Sequence, residues 1–197
     1  MGAVVAGQMG LPMRKLVVPV NDNDAFPKFL ATGRYQKIVP SRNSLSNAMN
    51  VGHPSNLARL VAVYGGQMDE TGKVNQAPDL DAMRRDLFSS SVSDERTREA
   101  LRHAWTRHRL LVEPHGAVAW QGYLDWLDAE KVKGAPAVIL ETAHPAKFPE
   151  EIEKILGFMP DVPPQMVAAE KLPEDYDRMG AEYGKFREYL LAKYAKA

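Results

Sequence analysis

The chain has 197 residues, 45% hydrophobic and 25% charged, which is enough for one sizeable hydrophobic core. Lysine and arginine together number 25 and balance 25 aspartates and glutamates, so nothing in the charge favours nucleic acid or an anionic membrane as a partner. There is no cysteine, which excludes disulfides, thiolate catalysis and cysteine-ligated metals.

The sequence also carries no signal for a membrane. No apolar run approaches the ~18 residues that a membrane-spanning helix requires. At the start of the chain a short apolar stretch precedes the basic residues, which is the reverse of their order in a signal peptide. We therefore expect a cytoplasmic protein without a membrane partner.

The first elements predict half of a βαβ unit. Residues 2–10 have the spacing of a helix that ends at Gly10, and residues 16–20 read as a strand that Pro19 confines to an edge or ends early. Four polar residues at positions 21–24 follow. They either cap the next helix, expected over residues 25–32, or form a functional cluster at the end of the strand.

The middle of the chain alternates between polar segments and short helices. Residues 40–56 are rich in serine, asparagine, glycine and proline, and an irregular segment of this length is more often functional or mobile than simple connection. A helix is expected to start at Ser55 or Asn56. Residues 67–80 are expected to form a surface loop, and residues 81–88 a short helix.

The clearest helix begins after Ser93, a hydroxyl cap that precedes two acidic residues. His103 and His108 on this helix are five residues apart and are not expected to face each other or to bind a metal. A second helix follows the corner that Glu113 and His115 begin. Free N–H groups at this start could meet an anion, or the corner residues could be structural.

Residues 137–140 form a continuous apolar run that predicts a strand buried on both faces. Thr142, His144 and Lys147 follow it, and in a parallel sheet ligands bind at this end of a strand. The plain alternative is that Thr142 caps a turn and Lys147 is solvated. A helix is expected over residues 149–156, an extended proline-rich segment over 158–173, and an amphipathic helix near the end of the chain.

Three segments resemble threonine synthase, a fold-type II pyridoxal-phosphate enzyme. They are Ser46 to Asn56 (SNAMNVGHPSN), Glu113 to Val118 (EPHGAV) and Thr142 to Phe148 (TAHPAKF), and they occur in the family's order. The resemblance implies an α/β fold with a three-layer, open, mostly parallel sheet and helices on both faces. It also implies that residues 1–157 are the carboxyl-terminal part of the cofactor-binding large domain, and that residues 158–197 are an extended segment and terminal helix.

The resemblance implies roles for individual residues. The family converts O-phosphohomoserine and water to threonine and phosphate, with pyridoxal phosphate as an electron sink. Thr142 matches the hydroxyl that meets the pyridine nitrogen of the cofactor. The candidates for the substrate side, which binds a phosphorylated amino acid, are Asn47, Asn50, Ser55, Asn56, Glu113, His115, His144 and Lys147. No metal is implied.

The resemblance also indicates what this chain lacks. The family's Schiff-base lysine and phosphate-binding loop have no counterpart here, so we expect a carboxyl-terminal portion of the enzyme that is inactive alone and needs an amino-terminal part as partner. The alternative is a non-catalytic product of a truncated or split gene that binds a partner or forms a homo-oligomer. In either case apolar residues of the two predicted strands should be exposed.

Overall fold

A computed structural model describes residues 1–134 and 136–195, which fall into two compact units, residues 1–161 and 162–197. Ala135, which precedes the apolar run at 137–140, and residues 196 and 197 of the terminal segment lie outside the described residues. The first unit contains all four strands of the described residues. Two short 3-10 helices, Asn47–Met49 and Pro145–Lys147, also belong to it.

The helices of the first unit form over most of the predicted segments. Ser93 caps α5 by accepting a hydrogen bond from the Arg96 N–H, as predicted. The bounds are α1 Gly2–Gln8, α2 Ala25–Thr32, α3 Asn56–Val63, α4 Leu80–Asp86, α5 Asp94–His108, α6 Pro114–Ala129 and α7 Pro149–Leu156.

Two small sheets lie among these helices. Strand β1, Leu16–Val17, pairs in parallel with β4, Leu87–Phe88, and isolated bridging continues at Val20 beyond Pro19, which has no N–H to donate. Strands β2, Gln67–Met68, and β3, Val74–Gln76, form an antiparallel pair. The helix predicted over 81–88 is therefore wrong at its end, because Leu87 and Phe88 pair with β1 instead of continuing α4. The loop predicted over 67–80 contains the β2–β3 pair.

The strand predicted over residues 137–140 is wrong. Residues 136–144 form no regular structure, and Val138 is 89% exposed and Leu140 65% exposed. An apolar run becomes a buried strand only where neighbouring strands supply a ladder and helices cover its faces. No described residue pairs with this run.

Two hydrophobic clusters hold the first unit together. One joins α2, α3 and α4 through side chains such as Phe29, Val61 and Met83, each fully buried. The other joins α5, α6 and α7 through Leu101, Ala117 and Ile152. Burying a side chain the size of Phe29 or Met83 contributes about 1.5–3 kcal/mol. The second cluster holds α5 against α6, and the polar corner lies at the start of α6.

The second unit contains helices α8, Pro164–Glu170, and α9, Tyr183–Tyr194. The extended conformation predicted for residues 158–173 is therefore wrong over α8. Pro164 stands in the first helical turn, where its missing N–H costs nothing, and good helix formers follow it. The terminal helix begins later than its apolar spacing predicts, after Gly180, a residue that disfavours helix.

Candidate functional site

The amino-terminal end of α6 is the centre of the candidate site. Glu113 caps this helix, accepting hydrogen bonds from the backbone N–H groups of His115 at 2.9 Å and Gly116 at 3.0 Å. Its side chain also bonds the Nδ1 of His115. Glu113 is 0% exposed and His115 is 9% exposed. A buried carboxylate in this place satisfies the free N–H groups of the helix and leaves them unavailable to another anion.

His115 connects this corner to the asparagine-rich segment. Its Nε2 accepts a hydrogen bond from the backbone N–H of Ala48, at 3.2 Å. A backbone N–H only donates, so we assign the proton of the ring to Nδ1, which donates it to Glu113. The bond joins two of the three sequence motifs, which are 67 residues apart in the chain.

Asn21 organises the rest of the asparagine-rich segment from the end of β1. This residue is 1% exposed, and its amide nitrogen lies 2.7 Å from Ser44 Oγ, 3.1 Å from Asn50 Oδ1 and 3.2 Å from Ser46 Oγ. Its own Oδ1 accepts from the backbone N–H of Asn23. The polar residues after β1 therefore hold residues 44–50 in place.

None of the four polar residues at positions 21–24 caps α2 with its side chain. Asp24 stands at the cap position and forms an ion pair with Lys28 at 2.9 Å instead. Asn23 exchanges two hydrogen bonds of 2.8 Å with the backbone of Arg42. Of the two predictions for these residues, the cluster at the end of a strand describes Asn21 and Asn23, and the side-chain cap is not formed.

Glu141, the residue directly before the third motif, reaches the same corner. A Cβ built on Gly116 would lie 2.0 Å from Oε2 of Glu141, and Oε1 of Glu141 accepts from the Glu113 N–H at 3.4 Å. Loss of solvation, then a hydrogen bond and the charge of Glu113, raise the pKa of Glu141 to about 8. At neutral pH this carboxyl is therefore mainly protonated, although the residue as a whole is exposed.

Thr142 is exposed before a short 3-10 helix, and Lys147 is exposed at the last position of that helix. His144 is also exposed and caps that helix, its Nδ1 accepting from the Ala146 N–H at 3.1 Å. The ring of Phe148 at its end lies 5.5 Å from the ring of His115. The structure thus brings the third motif to the α6 corner through Glu141 and Phe148.

The other predicted residues lie on the asparagine-rich segment. Asn47 is exposed and begins the first 3-10 helix, and Asn50 is half-buried beside Asn21. Ser55 and Asn56 are exposed at the start of α3, where the side-chain Oδ1 of Asn56 accepts from Arg59. Among the described residues, no hydrogen bond or ion pair joins Ser55 or Asn56 to the α6 corner.

Sequence reasoning missed three members of this site. Ser44 and Ser46 bond Asn21, and Glu141 fills the space above Gly116. A signal existed for Asn21, which directly follows an apolar strand. For Glu141 the only signal was an acidic residue at the end of an apolar run.

The two histidines of α5 differ from their prediction. The rings of His103 and His108 lie 5.7 Å apart, and both pack near the indole of Trp120. The expectation that they do not face each other is wrong, because the helix end and Trp120 gather the rings on one side. Over residues 1–134 and 136–195 no cluster of three or more potential ligands could hold a metal ion. No described helix is both long and apolar enough to cross a membrane.

Comparisons with known proteins find threonine synthases similar to most of this chain. A family model described as "Threonine synthase, C-terminal" matches residues 116–190. The threonine synthase of Haemophilus influenzae is 35% identical over 188 residues, which are 95% of this chain and 40% of that protein. This chain therefore spans about two-fifths of the length of that curated relative.

Solved structures confirm the α/β fold class. The crystal structure of threonine synthase from Escherichia coli aligns with a TM-score of 0.74 and 28% identity, over 96% of this chain and 40% of that one. The pyridoxal-phosphate-bound threonine synthase from Brucella melitensis aligns with a TM-score of 0.75 and 27% identity, over 95% and 42%. With its three motifs in the family's order and joined around one helix end, the chain resembles threonine synthases over about two-fifths of their length.

Proposed function

We propose that this chain forms one wall of the active site of a threonine synthase, which converts O-phosphohomoserine and water to threonine and phosphate. The observation that carries the proposal is that His115 bonds Ala48 while its ring packs on Phe148, which unites three motifs far apart in the sequence. Because the chain spans two-fifths of its relatives, we propose that activity needs the complementary part of such an enzyme and that the isolated chain is inactive.

One residue of this chain, Thr142, fits a role in binding pyridoxal phosphate. The hydroxyl-bearing residue Thr142 is exposed, directly after the carboxyl that lies on α6. A hydroxyl can donate to a pyridine nitrogen without protonating it. When bound, pyridoxal phosphate supplies an electron sink for negative charge that develops on the substrate. Thr142 would hold the ring nitrogen of that cofactor.

The remaining predicted residues divide by their contacts. The side chains of Glu113, His115 and Asn50 are engaged inside the protein, so we assign them to holding the site together. Asn47, Ser55, Asn56, His144 and Lys147 are exposed, and we assign them to binding the substrate. Lys147 supplies a positive charge and His144 an imidazole, both suited to the phosphate of O-phosphohomoserine.

Reconstitution tests this function directly. The chain is expressed together with the region of the Haemophilus influenzae enzyme that it does not match, and phosphate release from O-phosphohomoserine is measured with pyridoxal phosphate present. We expect activity only when both parts are present. Thr142→Ala should lower kcat at least tenfold, because the ring nitrogen loses its partner.

Thr106→Ala is the matched control, since Thr106 is an exposed threonine on α5 whose hydroxyl bonds its own helix. This variant should keep full activity. A reconstituted complex that forms but releases no phosphate would overturn the proposed function. Equal activity of the Thr142→Ala and Thr106→Ala complexes would overturn the role of Thr142.

A second candidate function rests on the exposed apolar residues of the first unit. Met9 is 82% exposed, Leu11 56% and Val138 89%. Surfaces of this kind suit a non-catalytic module that binds a partner or a second copy. Complex formation without phosphate release in the reconstitution would favour this function. The cytoplasmic location expected from the sequence remains part of either proposal.

A further inference from the structure

Residues 136–144 form no strand, yet Glu141 attaches this segment to the first unit. Its carboxyl lies over the first turn of α6, in space that exists only because residue 116 is glycine. The segment is attached again at its far end, where Ala146 is buried and Phe148 packs on His115. Thr142 lies between these two attachments, directly beside the first.

The protonation of Glu141 decides whether this attachment holds. Glu113 accepts several hydrogen bonds from N–H groups at the start of α6, and its carboxyl lies against that of Glu141. If Glu141 were ionised, its partly buried carboxylate would be repelled by the carboxylate of Glu113. At the start of α6 the titratable groups near Glu141 are Glu113 and, beyond it, His115. In the segment that follows, His144 caps the 3-10 helix and Lys147 ends it, and both side chains are exposed.

We propose that Glu141 is a positioning residue for Thr142: its protonated carboxyl fastens residues 136–144 to the first turn of α6, and loss of that proton releases them. The role of Thr142 toward the cofactor rests on the proposed function, but the attachment itself does not. The raised pKa of Glu141, about 8, places the release just above neutral pH. Alkaline conditions would then free Thr142 before the rest of the fold changes.

The sign of the stability effect follows from linkage. The pKa of Glu141 in the folded chain, about 8, lies above its ordinary value of 4.5. Between these values the folded chain keeps a proton that the unfolded chain has lost, so stability falls as the pH rises. The contribution is fully present below pH 4.5 and is lost by about pH 8.

Carbon-detected NMR of the isolated chain tests the attachment without cofactor or substrate. The carboxyl carbon of Glu141 and the methyl carbon of Thr142 are followed from acidic to alkaline pH. We expect both to titrate with the same midpoint, near 8. Glu141→Gln should hold the Thr142 methyl at its acidic position throughout, because an amide is uncharged at every pH. Glu141→Ala should hold it at its alkaline position.

Gly116→Ala provides an independent variant. Its Cβ would occupy the place of the Glu141 carboxyl, so it should resemble Glu141→Ala while α6, which favours alanine, stays folded. Glu153→Gln, an exposed glutamate on α7, is the matched control and should leave the Thr142 titration unchanged.

Two results would overturn the proposal. One is a Glu141 carboxyl that titrates near 4.5, and the other is a Thr142 methyl whose pH dependence survives Glu141→Gln. Neither result bears on phosphate release by the reconstituted enzyme, so failure of the attachment and failure of the proposed function are separate.

Discussion

At the scale of single residues, Glu113 has three structural roles in the candidate site. Its buried carboxylate caps α6 and holds the proton of His115 on Nδ1, which leaves Nε2 to accept from Ala48. One side chain thus sets the start of a helix, the tautomer of a histidine and the position of the asparagine-rich segment. Removing the charge of Glu113 should therefore disturb the start of α6, the tautomer of His115 and the asparagine-rich segment.

We predict that Glu113→Gln lowers the free energy of unfolding by about 2–3 kcal/mol, because an amide –NH₂ cannot accept and leaves a buried donor without a partner. Urea unfolding of the isolated chain measures this. Ser93→Ala, which removes the half-buried cap of α5, is the control and should cost only about 1 kcal/mol. Equal losses in the two variants would show that Glu113 acts as an ordinary cap.

At the scale of elements, the contact of β1 with α6 places Asn21 next to the site. Gly122 on α6 allows this approach, since a Cβ there would lie 2.4 Å from Cβ of Pro19. Pro19 is rigid and its backbone lies between two ladder bonds, made by Val18 and Val20. Pro19 therefore cannot move away from a Cβ at position 122 as a flexible side chain could.

We predict that Gly122→Ala lowers the free energy of unfolding by about 1 kcal/mol, because overpacking of ~1–3 kcal/mol outweighs the helix propensity of ~1 kcal/mol that alanine adds. Gly7→Ala on α1 is the control, since its Cβ would meet only the terminal methyl of Met13. Thermal unfolding should show a lower Tm for the first variant and an unchanged or higher Tm for the second. A stabilised Gly122→Ala would mean that β1 is not held against α6.

The elements also show which parts of the fold the sequence could predict. Helix α5 was predictable because its cap, Ser93, and its apolar stripe are local in the chain. The apolar run at 137–140 was not, because a strand depends on partners that its own residues do not specify. The same limit hid β4, whose two residues leave α4 only to pair with β1, 71 residues earlier.

The candidate site also has residues that the sequence could predict and contacts that it could not. The motif residues Glu113 and His115 could be named from the resemblance, and the structure places both at the α6 corner. The bond of Asn21 to Asn50 spans 29 residues, and the contact of Glu141 with the Glu113 N–H spans 28. Sequence separations of this size do not follow from the short repeat of a helix or a strand, so only the folded chain shows these contacts.

At the scale of the whole molecule, large apolar side chains remain exposed near both predicted strands. Val18 is 37% exposed, Leu140 65% and Val138 89%, which agrees with the exposure expected from the sequence. Burying such area in a second copy is favourable by roughly 25 cal/mol for each Å² removed from water. Net charge is zero, so electrostatic repulsion does little to keep copies apart.

We therefore predict that the isolated chain self-associates, and that replacing Val138 and Leu140 by serine shifts it toward the monomer. Light scattering over a range of concentrations measures the average mass. Val39→Ser is the matched control, because Val39 is 74% exposed but lies away from the predicted strands in the sequence, and it should not change the association. A monomer at every concentration would contradict the prediction. If Val39→Ser weakens the association as much as the replacement of Val138 and Leu140 does, the contact lies outside residues 138–140. The exposed apolar surface of α1 would then be the next region to change.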